Sequence, residues 1–157
     1  MNSPAGHIWH FIPVYWLHKL TKHGDLIVKC MFQAIHLASV MFVAKISYLY
    51  FVCDMSSSTK KLRTHNKAQM VAFVLMANMD DRLLSTMAFN DQIMMLYVLI
   101  CIYFCINNHP ARASAFLALA LSIKSGAFLF VPSFLGVIFI NYGTFALFKS
   151  LNVLFWV

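Results

Sequence analysis

Apolar positions in this chain come in long unbroken runs, not in the alternation of a half-buried strand or the one-sided stripe of a soluble helix. Residues 92–111 contain no Asp, Glu, Lys or Arg, and neither do residues 125–148. Either run covers roughly 30 Å of hydrocarbon at about 1.5 Å per residue. Residues 26–53 make a third run, charged only at Lys29 and Lys45. Those two lysines lie toward its ends, where long stems snorkel to the interface, and His36 between them is expected to pack against another helix. The pattern predicts an all-α polytopic transmembrane helix bundle, a single domain over residues 1–157. Its spans are 26–53, 70–89, 92–106 and 115–140, and 145–157 starts a further one.

The first apolar stretch differs in kind. Residues 7–20 interleave Trp9, Phe11, Tyr15 and Trp16 with His10, His18 and Lys19. At about 1.5 Å per residue this stretch is only about 21 Å long, so it predicts a helix lying in the membrane interface with Trp9, Tyr15 and Trp16 at headgroup depth. Residues 21–25 form a turn marked by Gly24. Residues 54–69 hold Lys60, Lys61, Arg63 and Lys67. Positive loops stay in the cytosol, which places Asn90 and Asp91 on the opposite, lumenal side. Within 70–89 the cluster Asp80-Asp81-Arg82 either faces protein inside a continuous helix or breaks it. Pro132 is expected to kink the 115–140 span. Ala118, Ser122 and Gly126 form a small-residue stripe for close helix contact, leaving Leu117, Ala120, Lys124 and Phe128 to face a cavity.

Composition narrows the class. The chain is 61% hydrophobic with a mean hydropathy of +0.74, more apolar surface than a soluble domain of this size buries. Twelve Lys and Arg oppose five acids, but the cations sit between apolar runs, without the basic stripe and stacking aromatics of a nucleic-acid binder. The four cysteines lack metal spacing and read as small apolar residues, Cys101 and Cys105 inside one run. His7 and His10 share a helical face without a third ligand, so no metal site is assigned. The N-terminus does not resemble a signal peptide, because no basic region precedes the first apolar residues and histidines interrupt them. Met1 reads as an internal start and Phe155-Trp156-Val157 ends inside an apolar run, so a fragment is expected.

Two charges stand out against this background. Asp91 opens one apolar run and Lys124 lies inside the next, placements tolerated where they face protein, water or a charged ligand. Counting down the helix from Asp91 and up the next from Ala113 puts Lys124 roughly 8 Å below Asp91. A lysine stem covers most of that gap. The pair is either an ion pair orienting two helices or half of a site for an anionic ligand near the bilayer surface.

Phe89-Asn90-Asp91, the span after it, Leu119-Ala120-Leu121-Ser122-Ile123-Lys124 and Leu129-Phe130-Val131-Pro132 resemble successive landmarks of one enzyme family. Pro4-Ala5-Gly6, His23-Gly24-Asp25 and the basic loop fall in the same order. The family is the dolichyl-phosphate-mannose-dependent alpha-1,3-mannosyltransferases of the endoplasmic reticulum, multi-pass membrane enzymes of the GT-C class. The resemblance implies transfer of mannose from dolichyl phosphate mannose to the five-mannose lipid-linked oligosaccharide, both held among membrane lipid, with neither metal nor cofactor. It covers an N-terminal to middle portion of such an enzyme, whose first membrane helix and acidic lumenal motif would precede Pro4. It implies that Lys124, Arg82, Asn90 and Asp91 neighbour the donor phosphate, with Asp91 also a possible catalytic carboxylate. The rival expectation is a truncated, non-catalytic membrane protein that binds lipid or a partner; a small transporter is disfavoured because no repeated pair of broken helices is visible.

Overall fold

The computed structural model of the protein describes residues 5–20, 23–53, 69–71, 74 and 91–155. Their structure is all-α: α1 (Ala5–Leu20), α2 (Gly24–Cys53), α3 (Asp91–Ile106), α4 (Pro110–Ile123), a 3-10 segment (Ser125–Phe130) and α5 (Val131–Phe155). The basic loop, the Asp80-Asp81-Arg82 cluster and nearly all of the 70–89 span lie outside the described residues. Two stretches, Gly24–Tyr50 and Ser125–Phe155, are long and apolar enough to cross a membrane.

α1 and α2 form an antiparallel hairpin. A Cβ on Gly24 would fall 2.4 Å from the backbone oxygen of His18, so the tight return needs a residue without a side chain. Beyond the turn, the Phe11 and Phe32 rings meet with centroids 6.3 Å apart. α1 covers the predicted interfacial segment, and Trp9, Tyr15 and Trp16 are all exposed.

α2 and α3 run parallel. Phe32 packs with Ile93, Met94 and Val98 near the start of α3, and Phe42 meets Tyr103 near its end at 5.5 Å, edge to face. The start of α3 therefore lies at the same end of the bundle as the α1–α2 turn. The end of α2, which leads into the basic loop, points the other way.

The α3–α4 turn is tight and closed by backbone hydrogen bonds. His109 N–H donates to Phe104 O at 2.9 Å and Asn108 N–H to Cys105 O at 3.2 Å, the paired bonds of a Schellman motif. Asn108 takes the left-handed φ of 61°, which asparagine tolerates better than most residues. The His109 and Phe104 rings pack at 6.2 Å. α4 then starts with Pro at its first turn, where the missing N–H has no partner to lose.

The 115–140 span is not one ascending helix. α4 ends at Ile123, Lys124 is extended (φ −149°, ψ 132°), and the chain reverses through the 3-10 segment. α5 starts at the head of α4, and Tyr142 Oη donates to Asn108 Oδ1 at 2.8 Å at its foot, so the first part of α5 descends. Pro132 accordingly stands in the first turn of α5 and does not kink a helix. Gly143, at φ 77° and ψ −175°, breaks α5 between the expected spans 115–140 and 145–157. Leu154 packs on the same cluster as Phe134 and Ile138. A straight helix would carry it about 24 Å beyond Ile138, so the chain folds back at Gly143.

Two apolar clusters follow. One gathers Phe32, Ile93, Met94, Val98, Ala120, Ile123 and Ala127 at the α1–α2 turn end, and the other joins Cys101, Ala113, Leu117, Phe134 and Ile138 toward the α3–α4 turn. α4 sits between them. Ala113, Ser114 and Ala120 are fully buried, and Leu117 and Ala118 nearly so. Small residues thus serve close contact on both faces of α4. The expected stripe ends early: an added Cβ at Gly126 would meet nothing within 4 Å. Ala120 faces protein, and Leu117, also buried, lines an apolar cavity between α3, α4 and α5 that neither Asp91 nor Lys124 lines.

Candidate functional site

The end of the bundle at the α1–α2 turn brings four polar side chains to the surface. Asp91 stands in the first turn of α3, where the helix dipole favours negative charge. Lys124 follows the last residue of α4. Its N–H still donates to Ala120 O at 3.2 Å, and its carbonyl accepts from Ala127 N–H at 3.1 Å. The extended backbone between these bonds turns the side chain out of the helix stack, and Lys124 Nζ donates to Asp91 Oδ1.

The two charges share one level because the helix arms match. From Ile106 back to Asp91 α3 rises about 22 Å, and from Pro110 to Lys124 α4 rises about 21 Å. The expected offset of roughly 8 Å comes from starting the ascent at Ala113; the Schellman turn starts it at Pro110. Lys124 therefore needs no long snorkel to meet the carboxylate.

About half of each side chain remains open, 45% for Lys124 and 43% for Asp91. An ammonium has three donors, and this salt bridge engages one with Asp91. Beneath the pair, Ile123, Ala120 and Ala127 are fully buried, so the charges rest on a packed apolar floor. The arrangement can hold an anion against a fixed cation at a helix N-terminus, with the carboxylate setting the cation's position.

Arg82 and Asn90, the other residues expected here, lie outside the described residues. The structure adds a second pair that sequence reasoning missed. His18 Nε2 and Asp25 Oδ1 lie 2.8 Å apart across the α1–α2 turn, both exposed. The signal is present in the chain, since a glycine turn places the end of one helix beside the start of the next, with His at a negative helix C-terminus and Asp at a positive N-terminus. Cys101 is buried, Cys105 half-buried and Cys30 exposed, all as free thiols.

No curated protein and no solved structure matches the chain. The family model described as "ALG3 protein" matches residues 2–157, which takes in both sequence landmarks at the site, Asn90-Asp91 and Lys124. An all-α membrane architecture carrying those landmarks agrees with that match. The chain belongs to the ALG3 protein family, the dolichyl-phosphate-mannose alpha-1,3-mannosyltransferases of N-glycan precursor assembly at the endoplasmic reticulum membrane.

Proposed function

We propose that the chain carries the donor-phosphate side of a mannosyltransferase, a multi-pass protein of the endoplasmic reticulum membrane that moves mannose from dolichyl phosphate mannose, in alpha-1,3 linkage, to the five-mannose lipid-linked oligosaccharide. The observation that supports this reading is Lys124, fixed beside Asp91 at the N-terminus of α3 with about half of its side chain open.

The chemistry asks for such a group. The acceptor hydroxyl oxygen attacks the anomeric carbon of mannose, the bond from that carbon to the phosphate oxygen breaks, and its electron pair leaves with dolichyl phosphate. A carboxylate takes the hydroxyl proton. The departing oxygen gains charge as the bond breaks, so a cation already in place stabilises the transition state more than the bound donor. In this reading Lys124 meets that oxygen, Arg82 and Asn90 are further phosphate neighbours, and Asp91 orients the ammonium. Asp91 as the base itself is the lesser role.

The test is transfer in microsomes supplied with dolichyl phosphate mannose and the five-mannose acceptor, read as conversion to the six-mannose lipid. Lys124→Ala should lower the rate by on the order of a hundredfold, as loss of a preorganised charge contact does. Lys45→Ala should leave it nearly intact, because Lys45 lies toward the other end of α2, over the Phe42 ring at 5.8 Å. Equal rates for the two variants would leave the Asp91–Lys124 pair as an orienting ion pair only.

A further inference from the structure

Cys101 and Cys105 stand one turn apart on α3, and a side-chain hydrogen bond joins their thiols. Cys101 is buried and Cys105 half-buried. Both line an apolar cavity of about 310 Å³ between α3, α4 and α5. Leu117 and Phe134, both buried, make its inner wall, and Ile102 is exposed at its rim. The Ser133 hydroxyl is the one other hetero atom that its lining side chains carry. Neither thiol takes part in the phosphate site, since Cys101 lies about 15 Å along α3 from Asp91.

Geometry decides what can join two such thiols. Residues four apart on a helix hold their Cβ atoms about 5–6 Å apart, whereas a disulfide brings them to about 3.5–4.5 Å. Direct oxidation would therefore distort α3. A single bridging atom relaxes that demand, because two bonds to sulfur, each about 2.3 Å as in a zinc thiolate, let the sulfurs stand farther apart. Ligand number and charge narrow the bridge further. Among the described residues no group of three or more His, Cys, Asp or Glu could hold a metal ion, so a four-coordinate metal lacks ligands here. The cavity lining carries no charged side chain, so a centre with net charge meets a desolvation penalty. Cu(I) on two thiolates would carry one negative charge. Trivalent arsenic with one organic substituent takes two thiolates and is neutral, its third bond already made to carbon.

We propose that Cys101 and Cys105 form a dithiol site that captures trivalent organoarsenicals. In the step, two S–H bonds break and two As–S bonds form. The arsenic–oxygen double bond breaks, the oxygen leaves as water with both protons, and arsenic stays trivalent. The apolar substituent then lies in the cavity against Leu117 and Phe134, a space at the lower end of the range of small-molecule sites, about 300–1,000 Å³. The exposed rim at Ile102 gives it a path from the lipid.

The probe is phenylarsine oxide, added to the full chain in phosphatidylcholine nanodiscs and read by intact mass. One adduct should form and survive excess glutathione, because a monothiol has to displace two linked sulfurs. Excess 2,3-dimercaptopropanol, which offers two thiols of its own, should remove it. Peptide mapping of the wild-type adduct should place arsenic across Cys101 and Cys105, a result that needs no variant. Cys101→Ala and Cys105→Ala should each weaken retention by on the order of a hundredfold, as loss of an intramolecular second bond does. Cys30→Ser and Cys53→Ser should leave it unchanged. Diamide should leave capture intact, since the spacing opposes a disulfide. An adduct that glutathione strips from the wild type, that maps to Cys30 or Cys53, or that persists undiminished in either alanine variant would overturn the site. A Cys101–Cys105 disulfide formed by diamide would overturn the spacing on which it rests.

Discussion

The Asp91–Lys124 pair joins two half-open charges, and partly exposed ion pairs contribute little to folding, typically about 0–1 kcal/mol. Stability is therefore a weak account of why a lysine stands at the break between two apolar segments. Lys124→Gln should change the thermal unfolding midpoint by no more than such a loss, while polyprenyl phosphate binding falls far more steeply. A large drop in midpoint with binding intact would assign the pair to folding. His36 offers the opposite case. Its Nε2 is buried without a hydrogen-bond partner among the described residues, a state that costs about 1–3 kcal/mol. His36→Leu removes that penalty and keeps the bulk, so the purified variant should unfold at an equal or higher temperature. A lower midpoint would mean that His36 has a partner in the membrane.

Single glycines set the paths of the helices. At Gly24 an added Cβ would strike backbone, not a side chain that can move, so Gly24→Ala should open the α1–α2 hairpin. Cysteines placed at Phe11 and Phe32, whose rings pack together, should form a disulfide readily with Gly24 in place and poorly once Gly24→Ala is added; equal yields would disprove the constraint. Gly143 is held by conformation instead, in a region populated almost only by glycine and costing other residues about 1–3 kcal/mol. These devices also mark how far the sequence can be read. Run length and charge placement disclose the helices, the turn at Gly24, and the two charged residues that meet. The reversal at Lys124 is hidden because 125–148 is uniformly apolar, and hydropathy does not separate one long span from two segments folded back on each other. The matching signals are local and available: Asn108 for a left-handed cap, Pro110 at a first helical turn, Pro132 at another. Pro132 reads as a kink from sequence because its neighbours on both sides are equally apolar. Burial of both faces of α4 is not legible either, since in lipid an apolar surface can face protein or hydrocarbon without a change in composition.

The course of the whole chain follows from one relation, the parallel packing of α2 and α3. The end of α2 and the start of α3 therefore lie at opposite ends of the bundle. The basic residues Lys60, Lys61, Arg63 and Lys67 follow the far end of α2, whereas Asp91, Lys124, His18 and Asp25 gather at the near end. If the basic loop is held in the cytosol by its charge, the ion-pair end faces the lumen, the side where the proposed transfer needs its donor phosphate. Sidedness can be measured without any activity. With the native cysteines replaced by serine, Arg63→Cys should react with a membrane-impermeant maleimide in sealed microsomes. His23→Cys, in the α1–α2 turn beside exposed Asp25, should react only after the membrane is opened. Labelling of both positions from one side would break the link between the basic loop and the α2–α3 packing. Reversal of the two would keep the fold but turn the phosphate end toward the cytosol, and the lumenal transfer proposed here would have to be given up.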